Sequence, residues 1–290
     1  LSSHHYIWYF SCSLVLGHTV SAAKIRHARS GMQVFCRKFF IAVDFFLLPS
    51  SYQTERVQKR LSNHLTRTRD MDARKETEKR VINLIIADES GSMSVIRDTT
   101  LAGLNETITT CQKMQEKFPT MEQRITLITF DSNHTKVIFD NIPALEAKPL
   151  SQKDYVPGAA TPLYDAIGQA ITKTYAQTEK TDSVLVTILT DGEENSSTEF
   201  DLKMVKRLID KQKEQGWTFT FIGTDNLDVE GMAHQMGIDS CFSFRQDDAS
   251  TGAMFAMDSA CRARFCARVS RDERIDDAKY FVEEDEENEE

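Results

Sequence analysis

The chain has 290 residues, 40% of them apolar, and a formal net charge of -9 at pH 7. This length and composition can supply the core of one large domain or of two small ones. The charge is uneven, because residues 1–70 carry ten Lys and Arg against three Asp and Glu, whereas residues 71–290 carry 25 against 41. An acidic part of this kind repels phosphate backbones, which argues against nucleic acid as a partner and favours a divalent cation.

Residues 1–70 contain only short apolar runs, at residues 6–17 and 39–49, and neither is long enough to span a membrane. A signal peptide can be drawn through residues 7–17, but no Lys or Arg precedes it, and a transit peptide fits the acid-poor composition as loosely. Met71 stands ten residues before the first long apolar run. We therefore expect Met71 to be the true start and residues 1–70 to have no folded role. A cytoplasmic protein follows, with export through residues 1–23 as the alternative.

Four near-continuous runs of Val, Ile, Leu, Phe and Thr follow, at residues 81–87, 125–130, 184–190 and 218–224. Such runs, without alternation of polar residues, are typical of parallel strands that are buried on both faces. Segments with helical spacing separate them. Their apolar positions are Leu101, Leu104, Ile108, Cys111, Met114 and Phe118, then the segment 164–175, then Phe200, Met204 and Leu208.

Alternating strands and helices predict a doubly wound α/β fold, Rossmann-like, with a mostly parallel central sheet and helices on both faces. Residues 134–140 follow the second strand after only three residues, so we expect them to form one antiparallel edge strand. Residues 240–244 are a candidate last strand, and residues 251–268 a last helix. The apolar positions of that helix predict an inward face, and its basic positions a solvated face. The inward set is Met254, Met257, Cys261 and Phe265, and the solvated set is Arg262, Arg264, Arg268 and Arg271.

These patterns place one folded domain at residues 78–268, after the non-domain segment 1–70. Residues 269–290 form an acidic tail, and residues 283–290 are nearly all Asp and Glu. A dense block of like charge is typical of a solvated, disordered segment.

Oxygen-bearing side chains follow two of the predicted strands. Asp88, Ser90 and Ser92 come directly after the first run, Asp191 follows the third, and Thr161 precedes the helix of residues 164–175. In an open α/β sheet, ligands bind beyond the carboxyl ends of the strands. Hydroxyl and carboxylate oxygens suit Mg²⁺, which demands octahedral geometry and keeps part of its water. The sequence therefore predicts one divalent-metal site.

The pattern Asp-x-Ser-x-Ser, with a distant Thr and a distant Asp-Gly, resembles the metal-ion-dependent adhesion site (MIDAS) of the von Willebrand factor A (VWA) domain family. The segments Asp-Glu-Ser-Gly-Ser-Met, Thr-Pro-Leu-Tyr-Asp-Ala and Thr-Asp-Gly-Glu-Glu-Asn are similar to those of stand-alone bacterial members, some of them cytoplasmic. The resemblance covers residues 78–268. It implies that Ser90, Ser92 and Thr161 ligate Mg²⁺ or Mn²⁺ directly, that Asp88 and Asp191 act mostly through water, and that a partner protein's carboxylate fills an open position.

Other roles compete for some of these residues. Asp88 and Ser90 alone can serve as strand-end and helix-capping residues, but three motifs in this order favour the metal site. We expect Glu89, Glu193 and Glu194 to be solvated loop acids and Asp131 and Asp225 to be turn residues.

No nucleotide-binding, hydrolase or zinc-protease motif is present in the sequence, and the six cysteines lack the spacing of a zinc site. A Mg²⁺-dependent phosphatase of the haloacid-dehalogenase type would need Asp-x-Asp, and Ser90 stands at the second acidic position. We therefore predict a non-catalytic, metal-dependent protein-binding module. An exported adhesin and that phosphatase are the alternatives.

Overall fold

The structure, a computed structural model, describes residues 79–273 and 280–281. The predictions for residues 1–70 and for the acidic block 283–290 lie outside these residues. The strands are β1 Lys79–Asp88, β2 Met121–Asp131, β3 His134–Pro143, β4 Asp182–Thr190, β5 Thr218–Thr224 and β6 Ser240–Phe244. The helices are α1 Arg97–Lys117, α2 Leu163–Tyr175, α3 Leu202–Lys213, α4 Val229–Met236 and α5 Asp248–Ser270, with 3-10 turns at Gly91–Ile96 and Ala144–Glu146.

The strands form one sheet in the order β3-β2-β1-β4-β5-β6. Every neighbouring pair is parallel except β2 and β3, which are antiparallel. This confirms the predicted doubly wound fold with one antiparallel edge strand. The strand order reverses between β1 and β4, and their carboxyl ends therefore flank the crevice in which such folds bind ligands.

Alternate residues of β1 face opposite sides of the sheet. Ile82, Leu84 and Ile86 pack with residues of α2, α3 and α4 in one core cluster. On the other face, Ile85 and Ala87 pack with residues of α1 and α5. Helices therefore cover both faces, and β1 is the centre of the core.

Helix α3 departs at one position from the inward face that the sequence predicts. Leu208 is partly buried and packs against the core on the same side as the buried Val205 and Ile209, but Met204 is 42% exposed. The Asp201 carboxylate accepts a hydrogen bond from the Met204 amide and caps the helix, so Phe200 lies before the helix. Phe200 is also partly buried against the core, and it packs on Gly168 of α2.

Arg262 contradicts the prediction of a solvated arginine face on the last helix, because its side chain is fully buried. Its guanidinium donates to Asp258 Oδ2 at 3.1 Å, to Asn83 Oδ1 at 2.8 Å and to Thr187 Oγ1 at 2.8 Å. The Tyr280 hydroxyl donates to the other oxygen of Asp258 at 2.9 Å. A paired and hydrogen-bonded ion can be buried at a tolerable cost, and this one joins α5 to the sheet.

The described residues include four cysteines, and all four are free thiols: Cys111, Cys241, Cys261 and Cys266. Burial raises the pKa of Cys111 to about 11 and that of Cys266 to about 12, which makes these thiols poor nucleophiles. In the same part of the chain, no helix has the length and apolar character needed to cross a membrane.

Candidate metal centre

Three loops meet at the carboxyl edge of the sheet and bring the five predicted ligands together. The first loop follows β1, the second precedes α2, and the third follows β4. The first two are joined by hydrogen bonds from the Gly91 amide to the Ala159 carbonyl at 3.1 Å and from the Gly158 amide to the Glu89 carbonyl at 2.8 Å. The second and third are joined by a hydrogen bond from the Asn195 amide to the Thr161 carbonyl at 3.1 Å. The site is therefore assembled by backbone contacts as well as by side chains.

Asp88 is buried at the end of β1, and both of its carboxylate oxygens are occupied. Oδ1 accepts from the Ser90 amide and Oδ2 accepts from the Thr190 hydroxyl, each at 2.6 Å. The Tyr155 hydroxyl fixes the same residue through its backbone carbonyl, also at 2.6 Å. Burial, with a smaller contribution from the nearby Asp191, raises the pKa of Asp88 to about 6, although the hydrogen bonds from Thr190 and Ser90 oppose the shift. Neutral groups thus orient the Asp88 carboxylate. None of these hydrogen-bond partners carries a positive charge that would neutralise it.

Ser90, Ser92 and Asp191 form a continuous chain of oxygen atoms. The Ser90 and Ser92 hydroxyl oxygens are 3.2 Å apart, and the Ser92 hydroxyl donates to Asp191 Oδ1 at 2.6 Å. Burial raises the pKa of Asp191 as well. Ser92 is exposed whereas Ser90 and Asp191 are buried, and one side of this chain therefore faces solvent.

The Thr161 hydroxyl lies directly against the loop that follows β4. A Cβ atom placed on Gly192 would come within 2.8 Å of Thr161 Oγ1, too close for any side chain. The Thr161 amide donates to Asn195 Oδ1 at 2.8 Å, which fixes the second loop on the third. Gly192 is therefore required for the close packing of the Thr161 side chain on the third loop.

The donor set fits a hard divalent cation. It combines three neutral hydroxyls with two buried carboxylates, and oxygen donors of this kind favour Mg²⁺ or Mn²⁺. Adjacent ligands about 2.1 Å from an octahedral Mg²⁺ lie about 3 Å apart, which is close to the 3.2 Å between the Ser90 and Ser92 oxygens. Within the described ranges, no group of three or more His, Cys, Asp or Glu side chains could hold a metal ion, so this hydroxyl-rich set differs from a zinc site of the His and Cys type.

The predicted solvated state of the loop acids is wrong for Glu89. Its side chain is fully buried, and Oε1 accepts from Lys136 Nζ at 2.7 Å and from the Val156 amide. Its other oxygen, Oε2, is buried without a hydrogen-bond partner. The rim of the site is therefore less negative than the sequence indicates, because Lys136 compensates this carboxylate.

The remaining acids behave in different ways. Glu193 is exposed as predicted, but Glu194 is half-buried and accepts hydrogen bonds from the Tyr164 amide at 2.8 Å and from the Ser197 amide at 2.7 Å. Asp131 stabilises the turn between β2 and β3, as expected, by accepting from the His134 amide at 2.9 Å. Glu194 thus orders the start of α2 instead of adding a free charge to the site.

Four supporting residues were not recognised in the sequence: Thr190, Gln246, Asn195 and Tyr155. Gln246 Nε2 donates both to Asp191 Oδ2 and to the Ser92 carbonyl, so it links two loops. Thr190 and Asn195 are the first and last residues of the segment Thr-Asp-Gly-Glu-Glu-Asn, although no role was assigned to them from the sequence. No local motif marks Tyr155 or Gln246, because their contacts join residues that are far apart in the chain.

Comparisons with known proteins show likeness at the level of solved structures. No family model matches the chain, and the search of curated proteins found no match. A von Willebrand factor type A protein from Catenulispora acidiphila is 16% identical over 66% of this chain and 43% of that one, with a TM-score of 0.46. Proximal thread matrix protein 1 from the mussel byssus, with a zinc-occupied MIDAS motif, is 14% identical over 64% of this chain and 48% of that one, with a TM-score of 0.45.

A further match is the vWF domain of the type V pili tip protein Mfa5 from Porphyromonas gingivalis. It is 11% identical over 69% of this chain and 98% of that one, with a TM-score of 0.47. The chain spans less than half the length of the first two proteins. The matches therefore include domains of the family that the sequence motifs resemble, at identities that concern the fold alone.

Proposed function

We propose that this chain is a metal-dependent protein-binding module of the VWA type, in which Mg²⁺ or Mn²⁺ at the carboxyl edge of the sheet binds an acidic residue of another protein. The observation that carries the proposal is the convergence of five oxygen-bearing side chains from three loops beside the point where the strand order reverses. The five are Asp88, Ser90, Ser92, Thr161 and Asp191.

The residues divide into direct ligands and groups that act through water. In the proposed site, the hydroxyls of Ser90, Ser92 and Thr161 hold the ion, and the carboxylates of Asp88 and Asp191 orient its water. The bonds from Ser90 and Thr190 to Asp88, and from Gln246 to Asp191, fix both carboxylates before any metal binds. When bound, the ion supplies a positive charge and an open coordination position to an incoming carboxylate.

Neutral direct ligands suit this task. Hydroxyl groups do not cancel the charge of the ion, so an approaching carboxylate still experiences a strong attraction. Lys136 neutralises the buried Glu89, the acid nearest to Asp88 in the chain, and so removes one source of repulsion. The exposed Ser92 marks the side from which a partner can reach the ion.

Two features argue against the phosphatase alternative. A carboxylate nucleophile must be accessible, yet Asp88 is fully buried and both of its oxygens accept hydrogen bonds. Ser90 has no carboxylate to act as a general acid. The proposal is therefore a non-catalytic module.

We place the module in a bacterial cytoplasm. The free thiols of the described cysteines support a reducing compartment, since exported proteins commonly pair such residues as disulfides. An exported adhesin is the alternative, and a pilus tip protein is among the matched structures. Nucleic acid is not expected as a partner because residues 71–290 are strongly acidic.

Titration calorimetry on the full chain, freed of metal with EDTA, tests the site. Mg²⁺ and Mn²⁺ should each bind one site, and replacing Ser90 and Ser92 together by alanine should abolish binding. Ser94→Ala is the matched control, because Ser94 lies in the same 3-10 turn and is exposed. Asp191→Ala should weaken binding less than the double variant, since Asp191 acts through water.

The partner function is tested by affinity capture with and without EDTA. Proteins that are retained by the wild type in Mg²⁺, released by EDTA and lost with the double variant would support the proposal. Equal metal binding by the wild type and the double variant, or capture that ignores chelation, would refute it.

A further inference from the structure

Val95 is an exposed apolar side chain on the same turn as Ser92. It lies in the 3-10 turn Gly91–Ile96 and is 67% exposed, whereas its neighbours Met93 and Ile96 are buried. In a 3-10 helix the side chains at positions i and i+3 are aligned, about 6 Å apart along the axis. Val95 therefore presents an apolar surface beside the exposed Ser92 hydroxyl.

Val156 supplies a second exposed apolar side chain next to the metal centre. It is 51% exposed, and its amide donates to Glu89 Oε1, one residue from Asp88. The residues that follow Val156 lie against the first loop, where the Gly158 amide donates to the Glu89 carbonyl at 2.8 Å. The backbone around Val156 is therefore attached to the loop that carries three of the proposed ligands.

Arg97 holds the backbone segment of Val95 against the segment of Val156. Its Nε donates to the Tyr155 carbonyl at 3.2 Å and its Nη2 donates to the Gln152 carbonyl at 2.6 Å. Arg97 stands two residues after Val95, and Tyr155 directly precedes Val156. The two valines thus belong to backbone segments that are held against each other, which limits the ordering cost of binding there.

We propose that Val95 and Val156 extend the metal centre into a docking surface for an extended peptide segment of a partner protein, in which an apolar side chain stands two residues from the acidic one. This inference rests on the proposed function, since the acidic residue is the one that the metal takes. In an extended strand, side chains at i and i+2 point the same way and lie about 7 Å apart. That spacing is close to the distance of about 6 Å that one 3-10 turn places between the positions of Ser92 and Val95.

The occupant follows from the chemistry of the surface. A cation at the oxygen cluster attracts a carboxylate, and the adjacent valines favour an aliphatic or aromatic group over a second charge. A ligand that supplied only a carboxylate to the ion would leave the side chains of Val95 and Val156 exposed to water. A ligand with an apolar group beside its carboxylate would cover them. The surface should therefore select among acidic peptides by the residue next to the acid.

Displayed peptides provide the test. A library with one fixed Asp or Glu and three randomised positions on each side would be selected on the full chain in Mg²⁺ and eluted with EDTA. We expect Leu, Ile, Val, Phe or Met to be enriched two positions from the fixed acid. The best peptide should bind Val95→Asn and Val156→Asn about fivefold to tenfold more weakly, with Mg²⁺ affinity unchanged.

Leu145→Asn is the matched control. Leu145 is 60% exposed and follows the end of β3, which pairs with the start of β2. It therefore lies towards the amino ends of the parallel strands, whereas the metal centre lies at their carboxyl ends. Its replacement should leave peptide affinity unchanged. Melting temperatures of all three variants within a few degrees of the wild type would show that folding is not the cause.

The outcomes separate this inference from the proposed function. Acidic peptides that are eluted by EDTA but lack an apolar preference, and that bind Val95→Asn as tightly as the wild type, would overturn the docking surface and leave the metal-dependent function standing. If the protein binds Mg²⁺ but EDTA elutes no peptide, both the docking surface and the proposed protein-binding function would be overturned. Mg²⁺-dependent self-association that Val95→Asn abolishes, seen by sedimentation, would assign the surface to a second copy and overturn the partner proposal.

Discussion

Asp88→Asn should stabilise the metal-free protein at neutral pH, although it removes a residue at the centre of the site. The side chain of Asp88 is fully buried, and burial raises its pKa to about 6 from an ordinary value of 3.8. A shift of this size corresponds to about 3 kcal/mol of unfavourable free energy for the ionised group. Asparagine carries no charge and keeps an acceptor for the Ser90 amide. Losing the Thr190 hydrogen bond costs about 1 kcal/mol, so the net gain should be about 2 kcal/mol.

The sign of the pH dependence follows from the raised pKa. The folded state binds the Asp88 proton more tightly than the unfolded chain does, so this contribution to stability is fully present below about pH 4. It is lost as the pH rises through about 6. The difference in free energy of unfolding between the variant and the wild type should therefore grow by about 3 kcal/mol from pH 4 to pH 7.5 in EDTA.

Urea unfolding, followed by circular dichroism, measures this difference. Mg²⁺ at about 100 times its dissociation constant should add about 2.7 kcal/mol to the wild type at pH 7.5 and little to Asp88→Asn. Asp225→Asn is the matched control, because Asp225 follows β5 as Asp88 ends β1 but is exposed. A variant that is less stable than the wild type at pH 7.5 in EDTA, by an amount that does not change with pH, would refute the argument.

Two further changes test the geometry of the site and of the core. Gly192→Ala should lower Mg²⁺ affinity about tenfold in calorimetry, because the new Cβ would come within 2.8 Å of the Thr161 hydroxyl. Gly252→Ala is the control and should have no effect, because its Cβ meets nothing within 4 Å. Equal Mg²⁺ affinities of Gly192→Ala and the wild type would contradict the close packing of Gly192 on Thr161. Asp258→Ala should reduce the free energy of unfolding in urea by about 3–5 kcal/mol, because it leaves the Arg262 charge buried without its partner. A loss below about 1 kcal/mol would mean that water or another group reaches Arg262.

The fold was predictable because its strands are long, apolar and regularly separated. Residues 218–224 and 240–244 coincide with β5 and β6, and only two residues separate β2 from the edge strand β3. On α3, the spacing placed Phe200 and Leu208 correctly against the core but not Met204, which lies in the first turn after the Asp201 cap and is exposed. The apolar period alone therefore could not assign the first turn of this helix.

The strand-end positions of the candidate ligands were predictable from the sequence, and the contacts around them were not. Asp88 and Asp191 stand beside recognisable strand ends, and the motif names the hydroxyls between them. Burial of Glu89 depends on Lys136, 47 residues away, and Gln246 reaches Asp191 across 55 residues. Such contacts exist only once the sheet has formed, and a single sequence carries no local trace of them.

Tyr280 and Phe281 set the limit for truncation of the folded domain at its C-terminal end. The hydroxyl of Tyr280 binds Asp258, and the ring of Phe281 packs on Phe242 of β6 with centroids 5.8 Å apart. A form that stops at residue 268, where the helical pattern places the end of the domain, would remove both rings and uncover apolar surface on α5 and β6. Crystallisation or display of the domain should therefore retain residues through 281, with any tag or fused partner attached beyond that point.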